Sequence, residues 1–271
     1  MSAPAESIFR SRGELFVPTE QARGPWDPDA LHGGAPAALI VRAFERHEPR
    51  AGVVLCRLGF ELLRPIPFAP LRVQVRTVRP GRRVQELAAE LLAEGADGPE
   101  LVCRASALRI AQLPDGLPEP PPGALAGEPM PGPETGRPVR FALNDDVDQT
   151  SFASSAMEMR WLDEPYRLGP GRVWQRLRHP LVDDEPAGAL ARLAATSDFG
   201  NGVSASLPFE RFLFINADLH IHLHRQPHGE WVGIDARTLL HPGGMGLAES
   251  VLHDLDGPVG RAFQALVVAP R

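Results

Sequence analysis

The chain carries one pattern of turns and strands twice, and that repetition narrows its possible folds more than any other feature. Arg79-Pro80-Gly81 is matched by His241-Pro242-Gly243, Asp97-Gly98-Pro99 by Asp256-Gly257-Pro258, and Ala107-Leu108 by Ala265-Leu266, with offsets falling only from 162 to 158 residues. Pro-Gly and Asp-Gly form turns, and the runs between them alternate, so each copy predicts a hairpin of long antiparallel strands. A helical stripe precedes each hairpin. In the first copy His32-Gly33-Gly34 opens a run with Pro36, Leu39, Ile40, Ala43, Phe44 and His47 at helical spacing. In the second, Ala187, Leu190, Ala191 and Ala194 repeat the stripe, with Asp183-Asp184 as candidate N-caps and Pro186 in the first turn. A strand follows each helix, VVLCRLGFELLRPIP and then FLFINADLHIHLHRQP. One helix with several long antiparallel strands predicts an α+β unit in which a curved sheet wraps its helix. Two such units in one chain should pack about an approximate two-fold axis.

Between the copies, residues 112–138 hold nine prolines without helical or alternating pattern. Such a stretch is extended and solvated, so it reads as a linker. The expected organisation is a first unit over 1–112, a linker over 113–138 and a second unit over 139–271, which carries the candidate catalytic residues.

Composition removes several chemistries. The chain has no lysine, which excludes Schiff-base catalysis and a phosphate-loop lysine. A net charge of -6 without a dense basic run argues against nucleic acid as a partner. Cys56 and Cys103 sit in alternating apolar runs and read as buried, inert thiols. The N-terminal MSAPAESIFRSRGE has no apolar signal core and no apolar run is long enough for a membrane span, so a cytoplasmic protein without a membrane partner is expected. GVSAS is not a nucleophile elbow, and Gly243-Gly244-Met245-Gly246 reads as a turn, which disfavours serine hydrolases and dinucleotide binding.

Several residues carry chemistry of their own. Asp198 closes the second helical stripe, where the helix dipole disfavours a negative charge by roughly 0.3 to 1 kcal/mol. It reads either as a general base in a partly desolvated site or as a turn-forming Asp before Gly200-Asn201-Gly202. Gln264 is an amide on an apolar strand face whose counterpart in the first copy is Ser106, so it is either a working group or one satisfied by backbone in the core. Asn216 shares strand parity with His220, His222 and His224, so it points away from the helix unless a bulge intervenes. The three histidines could collect zinc, but a solvated outer face or a subunit contact fits them better, and no metal is expected. His32, Gly33 and Gly34 can bring a backbone N–H to a ligand oxygen at a helix start, or simply form a flexible start to the helix.

Met157-Glu158-Met159-Arg160, Arg172-Val173-Trp174-Gln175-Arg176, Asp183-Asp184-Glu185-Pro186, Ala195-Thr196-Ser197-Asp198-Phe199, Phe214-Ile215-Asn216-Ala217-Asp218 and Ala262-Phe263-Gln264-Ala265 resemble the double hotdog acyl-CoA thioesterases of the bacterial thioesterase II type. His32-Gly33-Gly34 and Leu63-Arg64-Pro65 extend the likeness into the first half. The resemblance implies a tandem hotdog fold and hydrolysis of a fatty acyl-CoA by a bound water, with CoA entering only as part of the substrate. It puts Asp198, Gln264 and Asn216 around that water, with His32, Gly33 and Gly34 on the substrate side. Asn216 departs from the family, which usually has Thr there. A homodimer is expected. The rival functions are an enoyl-thioester hydratase on the same fold, whose D-x-N-P-x-H pattern is missing, and a non-catalytic acyl-thioester binding protein.

Overall fold

The computed structural model describes residues 6–24, 27, 29–113, 116–118, 121, 127–141, 150–183 and 185–271. The first half contains β1 (Phe9–Arg12), β2 (Leu15–Pro18), α1 (Gly34–Arg46), β3 (Val53–Leu62), β4 (Leu71–Arg79), β5 (Val84–Gly95) and β6 (Gly98–Ala111). The second contains β7 (Arg137–Pro138), β8 (Met157–Trp161), β9 (Gly171–Leu177), α2 (Ala189–Ser197), the short α3 (Gly200–Val203), β10 (Phe212–Asn216), β11 (Asp218–Leu223), β12 (Val232–His241), β13 (Met245–Asp254) and β14 (Gly257–Pro270). This is the α+β tandem arrangement that the repeats imply.

The turns fall where the sequence puts them. Gly98 and Gly257 have φ of 111° and 121°, a region open to glycine, and each reverses a long hairpin, β5–β6 and β13–β14. All strand pairing between these elements is antiparallel, and the two half-sheets meet edge to edge where β3 pairs with β11. The result is one continuous sheet rather than two separate ones.

The helices pack on each other with the start of each against the end of its mate. A Cβ on Gly34 would lie 2.4 Å from the Ala195 carbonyl oxygen, and one on Gly188 would lie 3.3 Å from the Glu45 carboxylate. Glycine at position 34 is therefore what lets α1 approach α2. Sheet on one side and helix on the other bury nine of the thirteen residues of α1, Phe44 included. Truncating Phe44 to Ala should cost about 3 to 5 kcal/mol, as for other fully buried aromatic rings.

Three expectations need correction. The N-cap of α2 is Gly188, not Asp183. Asp183 has φ of 48°, outside the extended region a cap needs, and its carboxylate instead accepts the Ser11 backbone N–H at 3.1 Å. Asp184 lies outside the described residues. The linker is not solvated to its end: Trp174 Nε1 donates to the Pro131 carbonyl at 2.7 Å, and Arg137–Pro138 pair with β8 as an added strand. Gly233 leaves room for Met130 there, since a Cβ would lie 2.4 Å from Met130 Cε.

The third correction concerns strand parity. β10 pairs Asn216 with Leu266 of β14, whereas β11 pairs His220 with Phe263. Four steps along one strand thus oppose three along the other, which is a one-residue bulge at Ala217. Asp218 Oδ1 accepts the Ala265 N–H at 2.7 Å there, and Ala217 donates to the Ala265 carbonyl at 3.0 Å. The bulge reverses the alternation, so Asn216 turns toward the helices while His220, His222 and His224 stay on the other face.

Candidate active site

Asp198 is the C-cap of α2 and only 8% exposed. Its carboxylate needs partners at that depth, because an unpaired buried charge is costly. Asn216 Nδ2 donates to Oδ1 at 2.8 Å, and His32 Nδ1 lies 3.0 Å from Oδ2. Gly33 completes the fit, since a Cβ there would come within 2.9 Å of Oδ2.

Gln264 is fully buried behind this carboxylate. Its Nε2 donates to the Asp198 backbone carbonyl at 3.2 Å, and its Oε1 accepts the Asn201 backbone N–H at 3.1 Å. The amide therefore closes the end of α2 and fixes the peptide carrying Asp198. Gly200 is needed here, because a Cβ would lie 2.9 Å from Gln264 Oε1 and 2.8 Å from Ser250 Oγ.

The first half supplies the opposite wall. His32 stacks on Phe199 with ring centroids 4.4 Å apart and tilts against Phe152 at 5.0 Å. Its Nδ1 accepts the Gly34 backbone N–H at 3.1 Å. The site thus takes His32, Gly33 and Gly34 from one repeat and Asp198, Asn216 and Gln264 from the other, residues more than 160 positions apart in sequence at the His32–Asp198 contact.

His32, Gly33, Asp198 and Asn216 line a cavity of about 450 Å³ whose rim includes Asp27 and Arg64. Leu62, Ile66, Leu213 and Ile215 give it apolar walls. Below Asp198 it meets a nearly filled crevice of about 10 Å³ bounded by Ile40, Phe60, Cys103 and Leu219. Burial pushes the Cys103 thiol up to about 12, so it stays protonated and chemically quiet. Gln264 is not part of the cavity wall; it acts on Asp198 from behind. The sequence gives no site role to Phe152, Phe199 or Asn201, which the structure places against His32 and Gln264. Phe199 and Asn201 lie within the Asp198-to-Gly202 turn, but nothing in sequence ties Phe152 to His32.

On the far face of the sheet, His222 and His224 are exposed and border a separate cleft with His253, whose ring burial pushes down to about 4. Among the described residues the grouping close enough to share a metal ion is His228, Asp254 and Asp256, not the strand histidines. Asp254 in that group is already held by Arg225 through two contacts of 2.5 Å.

The sequence profile of the acyl-CoA thioesterase C-terminal domain matches residues 122–268, and that of the N-terminal domain matches 22–110. The chain belongs to the acyl-CoA thioesterase family. It is thus an acyl-thioester hydrolase of tandem hotdog architecture. Among solved structures, a hot dog fold protein of unknown function from Alicyclobacillus acidocaldarius superposes with TM-score 0.70 at 16% identity, over 97% of this chain and 95% of that one. The tesB protein of Mycobacterium avium subspecies paratuberculosis gives 0.64 at 17%, over 97% and 96%. The acyl-CoA thioesterase II TesB2 of Mycobacterium marinum gives 0.64 at 16%, over 90% and 92%. At these identities the likeness is one of fold. No match was found among curated protein sequences. No helix among the described residues is long and apolar enough to cross a membrane.

Proposed function

We propose that this thioesterase hydrolyses acyl-CoA by direct attack of a water activated at Asp198. The observation that carries the reading is a nearly buried carboxylate in the wall of an apolar cavity, oriented on one oxygen by Asn216. The Asn216 amide does the orienting that a hydroxyl does in the family pattern, because the Ala217 bulge turns it inward. Gln264 fixes the backbone of Asp198, and so its aim, without entering the cavity.

The reaction follows from these positions. Asp198 takes a proton from water as the oxygen adds to the thioester carbonyl, and the developing oxyanion lies near the positive start of α1, where Gly33 lines the cavity. Collapse of the tetrahedral adduct expels the CoA thiolate, which takes up the proton. The leaving group has a thiol pKa near roughly 8.5, so it departs readily without a covalent enzyme intermediate. The apolar walls suit the acyl chain, and Arg64, which lines the cavity and pairs with Glu100, would meet the CoA phosphates by exchanging that partner. A homodimer remains part of this proposal.

A thiol-release screen over acyl-CoA chain lengths tests the reading. Asp198→Asn should keep its fold and lose about a hundredfold or more in kcat, as removal of a general base does. Wild-type turnover in that variant would sink the mechanism. One observation favours a second reading, hydration of a 2-enoyl thioester: tertiary structure brings a His and an Asp together at 3.0 Å without any local sequence motif. Crotonyl-CoA hydration exceeding thiol release would select it.

A further inference from the structure

Asp198 and Gly33 stand between two spaces of very different size, and Leu62 and Ile66 border both. On one side is the cavity of about 450 Å³. On the other is the crevice of about 10 Å³, which lies between α1 and the sheet. That volume is no more than the least space that holds one water, so an acyl chain cannot enter it as the side chains stand.

The crevice is filled from above and below. Its roof is the face of α1 that follows Gly33 through Pro36 and Ala37 to Ile40, residues three or four apart and so on one side of the helix. Ala37 is small, and Ile40 supplies the bulk farthest from Gly33. Its floor is the inner face of the sheet, where Leu62 and Phe60 are two residues apart on β3 and share a face. Leu62 borders both spaces, whereas Phe60 borders the crevice alone, so the ring lies directly behind the junction. Leu219 of β11 is paired with Phe60 in register. Ile40, Phe60 and Leu219 are each no more than 2% exposed.

We propose that Phe60 is a specificity-determining residue: its ring, closed over by Ile40, stops an acyl chain from passing inward between α1 and the sheet, so the acyl group lies in the outer cavity. This rests on the hydrolytic reading above and names its substrate class. In the outer cavity the acyl group shares space with the thiol arm of CoA. Its first methylenes meet the apolar wall of Leu62, Ile66, Leu213 and Ile215, and further ones lie among Asp27, Arg64 and solvent. A methylene strengthens binding by about fourfold only when it is buried. The substrates are therefore short or compact acyl-CoA thioesters, with no gain from added length.

kcat/KM for thiol release from hexanoyl-, octanoyl- and decanoyl-CoA, measured on the full chain, tests this. In the wild type it should stay level or fall along the series. A rise of more than about threefold from hexanoyl to decanoyl overturns the proposal, because the chain is then being buried. Phe60→Ala opens the crevice and should turn the level series into a rising one, by about fourfold for each methylene taken up. KM should carry the change, since a remote methylene binds ground state and transition state alike. A folded Phe60→Ala that keeps the wild-type series also overturns it. If that variant does not fold, Phe60→Leu, smaller but still apolar, makes the same test with a shallower rise. Calorimetric binding of the same thioesters to Asp198→Asn separates this inference from the reading beneath it: affinity should be level with length, and should rise with length once Phe60→Ala is added. If the wild type releases no thiol from any acyl-CoA while binding still changes in this way, the hydrolytic reading fails and the role of Phe60 stands. Thiol release with a rising wild-type series keeps hydrolysis and removes that role.

Discussion

The ends of the two central helices are related by the internal repeat, yet they are finished in opposite ways. At α1 the guanidinium of Arg109, 4% exposed, donates to the carbonyls of Phe44, His47 and Glu48, at 2.8 Å for His47 and 3.2 Å for Glu48. At α2 a neutral amide, Gln264, takes the equivalent task and leaves a carboxylate beside it. A cation satisfies a helix C-terminus best, so the first end is built for stability. The second gives up that benefit and keeps an acid facing a cavity. Glu45 near the first end lies against Gly188 much as Asp198 lies against Gly33, but its neighbours are different: crowding of its carboxyl holds it above the usual carboxylate range, although Glu45 as a whole residue is exposed.

The contrast can be broken most directly by neutralising both acids. Asp198→Asn should lose a hundredfold or more in kcat, about 2.7 kcal/mol of barrier, while Glu45→Gln should stay within about twofold in the same thiol-release assay. A comparable loss in both would mean that both ends catalyse. Exchanging the caps is the next test. Arg109→Met leaves three carbonyls unpaired and should destabilise by about 3 kcal/mol in urea melts, with turnover of the folded protein unchanged. Gln264→Leu should destabilise less, by roughly 1 to 2 kcal/mol, yet lower kcat, because it frees the backbone of Asp198. Equal kcat losses for the two caps would erase the division between a stabilising end and a working end.

The smallest effect is a titration. Because the Glu45 pKa is raised in the folded chain, the folded state holds its proton longer, so this group weakens the fold as pH climbs through the carboxylate range. Glu45→Gln should therefore raise Tm slightly at neutral pH and lose that advantage below about pH 4, where both states are protonated. A lower Tm at neutral pH would show that the carboxylate is instead stabilised by Arg109 and Arg46.

Local physics made much of this legible. The stripe from Pro36 to Phe44, the turns at Gly98 and Gly257 and the acid after α2 all follow from short-range rules, and the structure has them in those places. What sequence could not supply is geometry created by another element. The Ala217 bulge depends on Asp218 satisfying an N–H of β14, so the face of Asn216 could be stated only as a condition. The cap at Gly188 depends on the closeness of α1, which outweighs the capping preference of Asp183. The His32–Asp198 contact joins opposite ends of a helix pair and leaves no trace in either local segment.

The seam between β3 and β11 joins the end that bears an acid and the end that an arginine seals in one sheet. In an assembly of two identical modules, any substitution appears at both ends together, so a helix terminus could not be reinforced without also closing its twin. Here the two modules are encoded separately and held in one sheet. An arginine can lock one end while an aspartate stays available at the other, so the asymmetry is written into a single gene product rather than imposed by a ligand.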